Sequence, residues 1–183
     1  YDQVLAHATR QLVLDPYREH AYRQTMRALA SLGQRAAALA HYERWAEVWE
    51  FQSLLRARPI AGNEALGAEF VKVIDPFRYP AGGLGDAALR EVRRIKARVE
   101  TERMPRGVQP QRHLKLGRGG LADVEWTAQL LQLQHAGAYP ALRTTATLPA
   151  LAAAREVGLL SSTDHDRLVE AWSRASLLRD LNF

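Results

Sequence analysis

Asp86-Ala87-Ala88-Leu89-Arg90-Glu91-Val92-Arg93-Arg94-Ile95-Lys96-Ala97-Arg98-Val99-Glu100-Thr101-Glu102-Arg103 decides the fold class. Ala88, Val92, Ile95 and Val99 recur at spacings of four and three, the stripe of an amphipathic helix. Arg90, Arg94 and Arg98 form a basic line at i, i+4 and i+8 beside it, and Met104-Pro105-Arg106-Gly107 ends the run. Working outward, the same texture recurs on both sides. Ala, Leu, Arg and Glu dominate, all good helix formers, and alternating Val, Ile, Thr or aromatic runs do not occur. The expectation is an all-α protein of about eight helices with essentially no sheet.

Before this stretch, helices are expected at about 2–14 (Val4, Leu5, Ala8 and Leu12 near one face), 17–32 (Tyr22, Met26, Leu29, Leu32) and 35–57 (Leu39, Tyr42, Trp45, Trp49, Leu54, Leu55). Asp15-Pro16 breaks the first, Gly33 stops the second and Arg58-Pro59 closes the third. A short helix at about 63–74 takes Asn63 as its cap, and Asp75-Pro76-Phe77-Arg78-Tyr79-Pro80-Ala81-Gly82-Gly83 reads as a loop. After the stretch come a loop at about 104–119 and helices at about 121–136 (Trp126, Leu130, Leu133), 147–157 (cap Thr147, Gly158 after its end) and 163–181 (cap Ser162 or Thr163; Leu168, Trp172, Ala175, Leu178). The tryptophans sit on helix stripes and are expected in the core.

The chain has 183 residues, 47% hydrophobic and 25% charged, which fits a folded domain or two rather than a disordered segment. No apolar run reaches the length of a membrane span, and the first residues lack the pattern of a signal peptide. The chain begins without Met, so a fragment is expected. Cys is absent, which excludes disulfides, thiolate metal sites and a Cys nucleophile. Net charge is +5, but unevenly spread: residues 88–118 hold ten basic and three acidic residues, a net +7, and the remainder sums to −2. A local patch of this kind suits an anionic partner. No recognition-helix signature accompanies it, so nucleic acid is not the expected partner.

Two resemblances organise the chain. Asp15-Pro16-Tyr17-Arg18-Glu19-His20-Ala21-Tyr22-Arg23 with Met26-Arg27-Ala28-Leu29 resembles the repeat-type bacterial transcriptional activation domain of certain regulators. It makes residues 1–42 a tetratricopeptide-like helix pair, below the roughly three units a solenoid needs. From about residue 42 the chain resembles the C-terminal helical part of the glutamine synthetase adenylyltransferase/adenylyl-removing enzyme. The motifs are Tyr42-Glu43-Arg44-Trp45-Ala46-Glu47-Val48-Trp49-Glu50-Phe51-Gln52, Arg56-Ala57-Arg58-Pro59-Ile60-Ala61-Gly62, Arg93-Arg94-Ile95-Lys96-Ala97-Arg98 and, strongest, Lys115-Leu116-Gly117-Arg118-Gly119-Gly120-Leu121-Ala122-Asp123-Val124-Glu125-Trp126. The resemblance implies a nucleotidyltransferase-associated helical domain over 43–183. It implies a parent enzyme that moves AMP from ATP to a tyrosine of glutamine synthetase with Mg, in the cytoplasm, with the PII signal protein as a further partner. The family's Gly-Ser turn followed by an Asp-x-Asp pair does not occur in this chain, where the one Asp-x-Asp, Asp164-His165-Asp166, has no Gly-Ser turn ahead of it, so no catalytic residue is assigned and neither ATP nor Mg is expected on it alone. The alternative is a non-catalytic fused module for protein contacts, of transcriptional-regulator origin.

Gly117-Arg118-Gly119-Gly120 ahead of a helix offers a phosphate geometry: N–H groups at a helix start, glycines that permit close approach, and the cations Lys115 and Arg118. A loop that merely needs glycine for positive φ stays open beside it. Arg56 and Arg58 are further phosphate candidates, or ordinary partners of a helix C-terminus. Asp123 and Glu125, two apart, point about 200° away from each other on a helix and make no paired-carboxylate site. Asp123 is expected to pair with Lys115 or Arg118. Glu125, Gln129 and Gln132 line one polar face, either solvated or turned to a catalytic domain or partner. His7, His20, His41, His113, His135 and His165 form no metal pattern.

Overall fold

The computed structural model describes residues 1–15 and 18–181, and of Arg44 and Trp45 the backbone alone. The break expected at Pro16, the place of Tyr17 in the second helix and the core position expected for Trp45 lie outside the described residues. The described residues form α1 (Asp2–Leu14), α2 (Glu19–Ser31), α3 (Arg35–Trp45), α4 (Val48–Leu54), α5 (Glu64–Arg78), α6 (Asp86–Glu102), α7 (Leu121–His135), α8 (Thr147–Glu156) and α9 (Ser162–Leu181). Short 3-10 turns stand at Pro110–Arg112 and Pro140–Leu142, and no strand occurs among the described residues. The protein is all-α. It divides into two compact units, Tyr1–Glu47 and Val48–Phe183.

In the first unit α1 packs on α2 and α2 on α3. Small side chains let them approach: Ala8, Ala21, Thr25, Ala28 and Leu29 are buried. The Thr25 hydroxyl, a polar group without water, donates to Ala21 O at 2.9 Å. Gly33 follows α2 at φ +75°, the left-handed stop its sequence position suggested.

The single helix expected over 35–57 is two. Ala46 is extended at φ −61°, ψ 133°, ending α3, and α4 begins at Val48. No Pro or Gly marks this break. Val48, Gln52 and Leu55 are buried in the second unit, and their packing sets the helix start. Trp49 points the other way and is 51% exposed, so it is not a core residue.

The expected loop at 75–78 is helical. Asn63 caps α5 as expected, its Oδ1 accepting from Leu66 N at 2.9 Å, but the helix continues through Pro76 to Arg78. Pro76 costs a hydrogen bond near the helix end, where tertiary contacts hold the last turn. Phe77 stacks on Phe51 of α4 with centroids 5.9 Å apart. Arg78 is buried: Nε donates to Asp75 Oδ1 at 2.7 Å and Nη1 to Ala57 O at 2.9 Å. Its guanidinium lies 4.9 Å from the centre of the Tyr79 ring, with Arg143 at 5.7 Å from the same ring. Burial pushes the Tyr79 phenol above its ordinary pKa, with the two guanidiniums opposing.

The core of the second unit joins Leu55, Tyr79, Leu133, Ala136, Leu142, Ala153 and Ala154 in one cluster, and Val124, Ala128, Ala150 and Leu151 in another. α7 therefore buries Leu121, Ala122, Val124, Ala128, Gln132 and Leu133; of the expected stripe Trp126, Leu130 and Leu133, only Leu133 is buried. Trp126 and Trp172 are half-buried. Two caps shift as well. Thr147 lies inside α8 with its hydroxyl engaged elsewhere, and Ser161 caps α9, its Oγ accepting from Asp164 N at 3.1 Å. Leu168 and Ala175 of α9 turn inward, whereas Leu178 is exposed.

Leu133 is completely buried, so Leu133→Ala should cost about 2–5 kcal/mol. The half-buried Trp126 should cost less on truncation, about 1–2 kcal/mol. Urea unfolding of both variants checks the order; a larger loss from Trp126→Ala would return that ring to the core.

Candidate functional site

The glycine turn before α7 is built by close backbone contact. A Cβ on Gly117 would stand 2.3 Å from Pro110 O and 2.6 Å from His113 O; one on Gly120 would stand 2.6 Å from Leu114 O. Gly119 has φ +74°. The turn needs glycine at all three positions to fold on itself. The donors expected to be open to a phosphate are taken. Gly120 N donates to Gly117 O, Leu121 N to Leu114 O, Ala122 N to Lys115 O and Asp123 N to Gly120 O, all within 2.9–3.1 Å. Gly119 N donates to Asp123 Oδ2 at 2.7 Å. The His113 ring joins in, Nδ1 accepting from Leu116 N at 3.0 Å. The start of α7 is capped by its own chain and presents no row of open N–H groups.

Asp123 pairs with neither Lys115 nor Arg118. Its partner is Lys96 of α6, whose ammonium donates to Asp123 Oδ1 at 2.5 Å and also pairs with Glu100. Burial alone would raise the Asp123 carboxyl, but the Lys96 ammonium and the Gly119 N–H hold it below the ordinary Asp value. Burial alone would lower Lys96, and the Asp123 and Glu100 carboxylates hold it above the ordinary Lys value. The clasp ties α6, the glycine turn and α7 together.

The polar face of α7 is part-buried, and all three of its side chains are engaged by neighbouring segments. Gln129 Oε1 accepts from Gln52 Nε2 of α4 at 2.7 Å. Gln132 is buried, and its Nε2 donates to Leu142 O at 2.8 Å and Thr144 O at 2.6 Å. Glu125 Oε1 accepts from Arg56 Nη2 at 3.0 Å. Arg56 also donates to Thr147 Oγ1 at 2.5 Å and to Thr145 O at 2.6 Å. Arg56 and Glu125 are thus brought together as a structural brace, and Arg56 has no fork left for a phosphate. Sequence reasoning missed Gln52, the role of His113 and the special place of Lys96, which it counted only as one of ten basic residues. Gln52 sits in a stretch that reads as polar helix surface, so nothing local signals it.

Lys115, Arg118 and Arg58 are exposed and, with Arg112, have no acidic partner among the described residues. The strap at 104–120 runs between clefts. One of about 570 Å³ is lined by Leu114, Lys115, Leu121, Glu125 and Trp172 among others. A second of about 550 Å³ is lined by Arg112, Arg118, Ala171, Arg174 and Leu178 among others. Among the described residues no group of three His, Asp or Glu side chains could hold a metal ion, and no helix is long and apolar enough to cross a membrane.

Comparison with known proteins divides along the same lines. The bacterial transcriptional activator domain matches residues 1–50, and the GlnD PII-uridylyltransferase family matches residues 91–181. More specifically, the chain is 62% identical over 141 residues to the bifunctional glutamine synthetase adenylyltransferase/adenylyl-removing enzyme of Streptomyces avermitilis, which is 77% of this chain and 14% of that relative. The enzymes of the same name in Mycobacterium avium and Cutibacterium acnes are 53% identical over 145 and 140 residues, covering 79% and 76% of this chain and 14% of each relative. About three quarters of the chain is therefore homologous to a segment of these enzymes, and the match spans about one seventh of their length.

The clasp gives a pH signature. Asp123 has a depressed pKa, so its contribution is present above the unfolded value of about 3.9 and is lost as pH falls through the folded value. Lys96 is raised, so its contribution is present below about 10.4 and is lost as pH rises through its folded value. Lys96→Met should therefore destabilise the protein at neutral pH, with a gap to wild type that closes in acid and again in strong alkali. Denaturant midpoints from acid to alkaline pH test this; a gap independent of pH would mean that Lys96 acts by packing alone.

Proposed function

We propose that residues from about 43 onward serve as the helical partner of a nucleotidyltransferase catalytic domain, in an adenylyltransferase that moves AMP from ATP to glutamine synthetase. The observation that carries this reading is the segment Lys115–Trp126. It is a self-capped turn and helix start clasped to α6 through Asp123 and Lys96, with Lys115 and Arg118 at the surface. In this reading the module packs on the catalytic domain and helps present glutamine synthetase or the PII signal protein, in the cytoplasm. ATP and Mg belong to the catalytic domain. Asp123 and Glu125 do not fit the metal, because Asp123 is held by Lys96 and Gly119, and Glu125 by Arg56. The charge of Lys115 and Arg118 faces an anionic group across the domain boundary. The turn's N–H groups add no donors there, since the backbone uses them.

A second reading, a non-catalytic module fused to a regulator-type front end, is favoured by one observation. Residues 1–50 match a transcriptional activator domain, and Tyr1–Glu47 forms a compact unit of its own.

Two outcomes are expected. The purified chain alone should transfer no label from ATP to glutamine synthetase; transfer above a no-protein control would overturn the division of labour. Residues 43–183, exchanged for the homologous segment of the Streptomyces avermitilis enzyme, should retain adenylyl transfer. A folded but inactive chimera would favour the second reading.

A further inference from the structure

The glycine turn before α7 is anchored at both ends by side chains that accept from backbone N–H groups, and both acceptors titrate. At its end, Asp123 Oδ2 takes the Gly119 N–H at 2.7 Å. At its start the acceptor is a ring nitrogen: His113 Nδ1 takes the Leu116 N–H at 3.0 Å and the Lys115 N–H at 3.3 Å. A neutral imidazole has one N–H and one lone-pair nitrogen. Two donors aimed at Nδ1 make it the lone-pair nitrogen, so the proton of the ring is on Nε2. A side-chain acceptor facing the N–H groups two and three residues on is the arrangement Asn and Asp adopt in turns, here with a ring nitrogen in place of their oxygen. His113 O accepts from Gly117 N at 2.7 Å in the same turn. Ring and carbonyl together hold Lys115, Leu116 and Gly117.

We infer that His113 is a proton-sensitive anchor: a second proton on its ring releases Lys115 and Leu116 from Nδ1 and loosens the segment that carries Lys115 and Arg118, while the Asp123 end holds. An imidazolium has N–H groups at both nitrogens and can no longer accept. Its surroundings offer no compensation. The ring lines both clefts, one with Arg112, Lys115, Arg179 and Glu125, the other with Arg112, Arg118 and Arg174. Glu125, the one carboxylate among these, is held by Arg56 at 3.0 Å. A second proton therefore costs two backbone hydrogen bonds and meets no free carboxylate in either lining. The anchor contributes while the ring is neutral and is lost as pH falls through the range in which imidazoles charge, about pH 8 to 5. Asp123 lets go later. Burial alone would raise its carboxyl, but the Lys96 ammonium and the Gly119 N–H hold it below the ordinary Asp value of about 3.9, so it remains an anion at pH 5. The turn thus opens from its start before its end. The inference uses only hydrogen bonds within the turn, so it stands or falls separately from the adenylyltransferase reading.

The test uses the full chain labelled with nitrogen-15. At pH 8 the His113 ring should give the nitrogen signature of an unprotonated Nδ1 and a protonated Nε2. Amide exchange is read as protection factors, in which the intrinsic effect of pH on exchange cancels. Leu116 protection should fall about three- to tenfold from pH 8 to pH 5, and Gly119 protection should hold within about twofold. His113→Asn places an oxygen acceptor within reach of the same two N–H groups and does not titrate, so its Leu116 protection should agree at the two pH values within about twofold. His113→Ala should lower Leu116 protection already at pH 8. Far-UV circular dichroism at both pH values shows that each variant is folded. The other histidines are present in every variant, so an acid loss at Leu116 that persists in His113→Asn would arise elsewhere and overturn the inference. A protonated Nδ1 at pH 8, wild-type Leu116 protection that does not change with pH, or a loss at Gly119 in step with Leu116 would each overturn it as well.

Discussion

The second unit depends on one requirement: backbone carbonyls between α7 and α8 are withdrawn from water and must be paired. Leu142 O, Thr144 O and Thr145 O belong to an irregular segment that cannot pair them within a helix or sheet. α7 and the turn that follows α4 supply the donors from side chains. Gln132 serves two of the carbonyls, and Arg56 serves the third while it holds Thr147 at the start of α8 and Glu125 on α7. An unpaired buried carbonyl costs about 1–3 kcal/mol, so the seam fixes how α4, α7 and α8 assemble. The face of α7 that looks most soluble in sequence is thus drawn into the packing, with Glu125 and Gln129 part-exposed and Gln132 buried.

That inversion explains what the sequence made legible. Features set by local chemistry were readable: the helical class, the extents of α1 and α6, the Asn63 cap, and Gly33 and Gly158 as stops. Features set by distant contacts were not. The break after Trp45 has no breaker, and the packing of Val48 and Leu55 decides it. Pro76 signals a loop, yet Arg78 and Phe77 anchor a helical turn around it through Ala57 and Phe51. Gln132 reads as polar surface because periodicity sorts residues by type and not by the carbonyls they will meet. The Ser161 cap was missed by one position, which is the usual uncertainty of a helix end.

The same distinction applies to the site. Arg56 was a phosphate candidate and Glu125 a member of the polar face, and the structure pairs them with each other. Both carry charge in a partly buried setting, and charge there needs a partner whether or not a ligand exists. Lys96 was concealed in a run of like charges, and only the approach of α6 to the glycine turn distinguishes it from Arg93 and Arg94.

The stretch Lys115–Trp126 can be followed residue by residue to separate architecture from outward function. Gly117 and Gly120 have no room for a side chain, and Gly119 takes a left-handed conformation. Leu121, Ala122 and Val124 are buried. Asp123 clasps Lys96 and the Gly119 N–H, and Glu125 braces Arg56. Each of these positions is specified by the fold of this domain. Lys115 and Arg118 are different: they stand exposed, with no acidic partner among the described residues. The turn's backbone hydrogen bonds fix where these two side chains leave the chain, so binding an anion would cost the ordering of the side chains and not of the backbone.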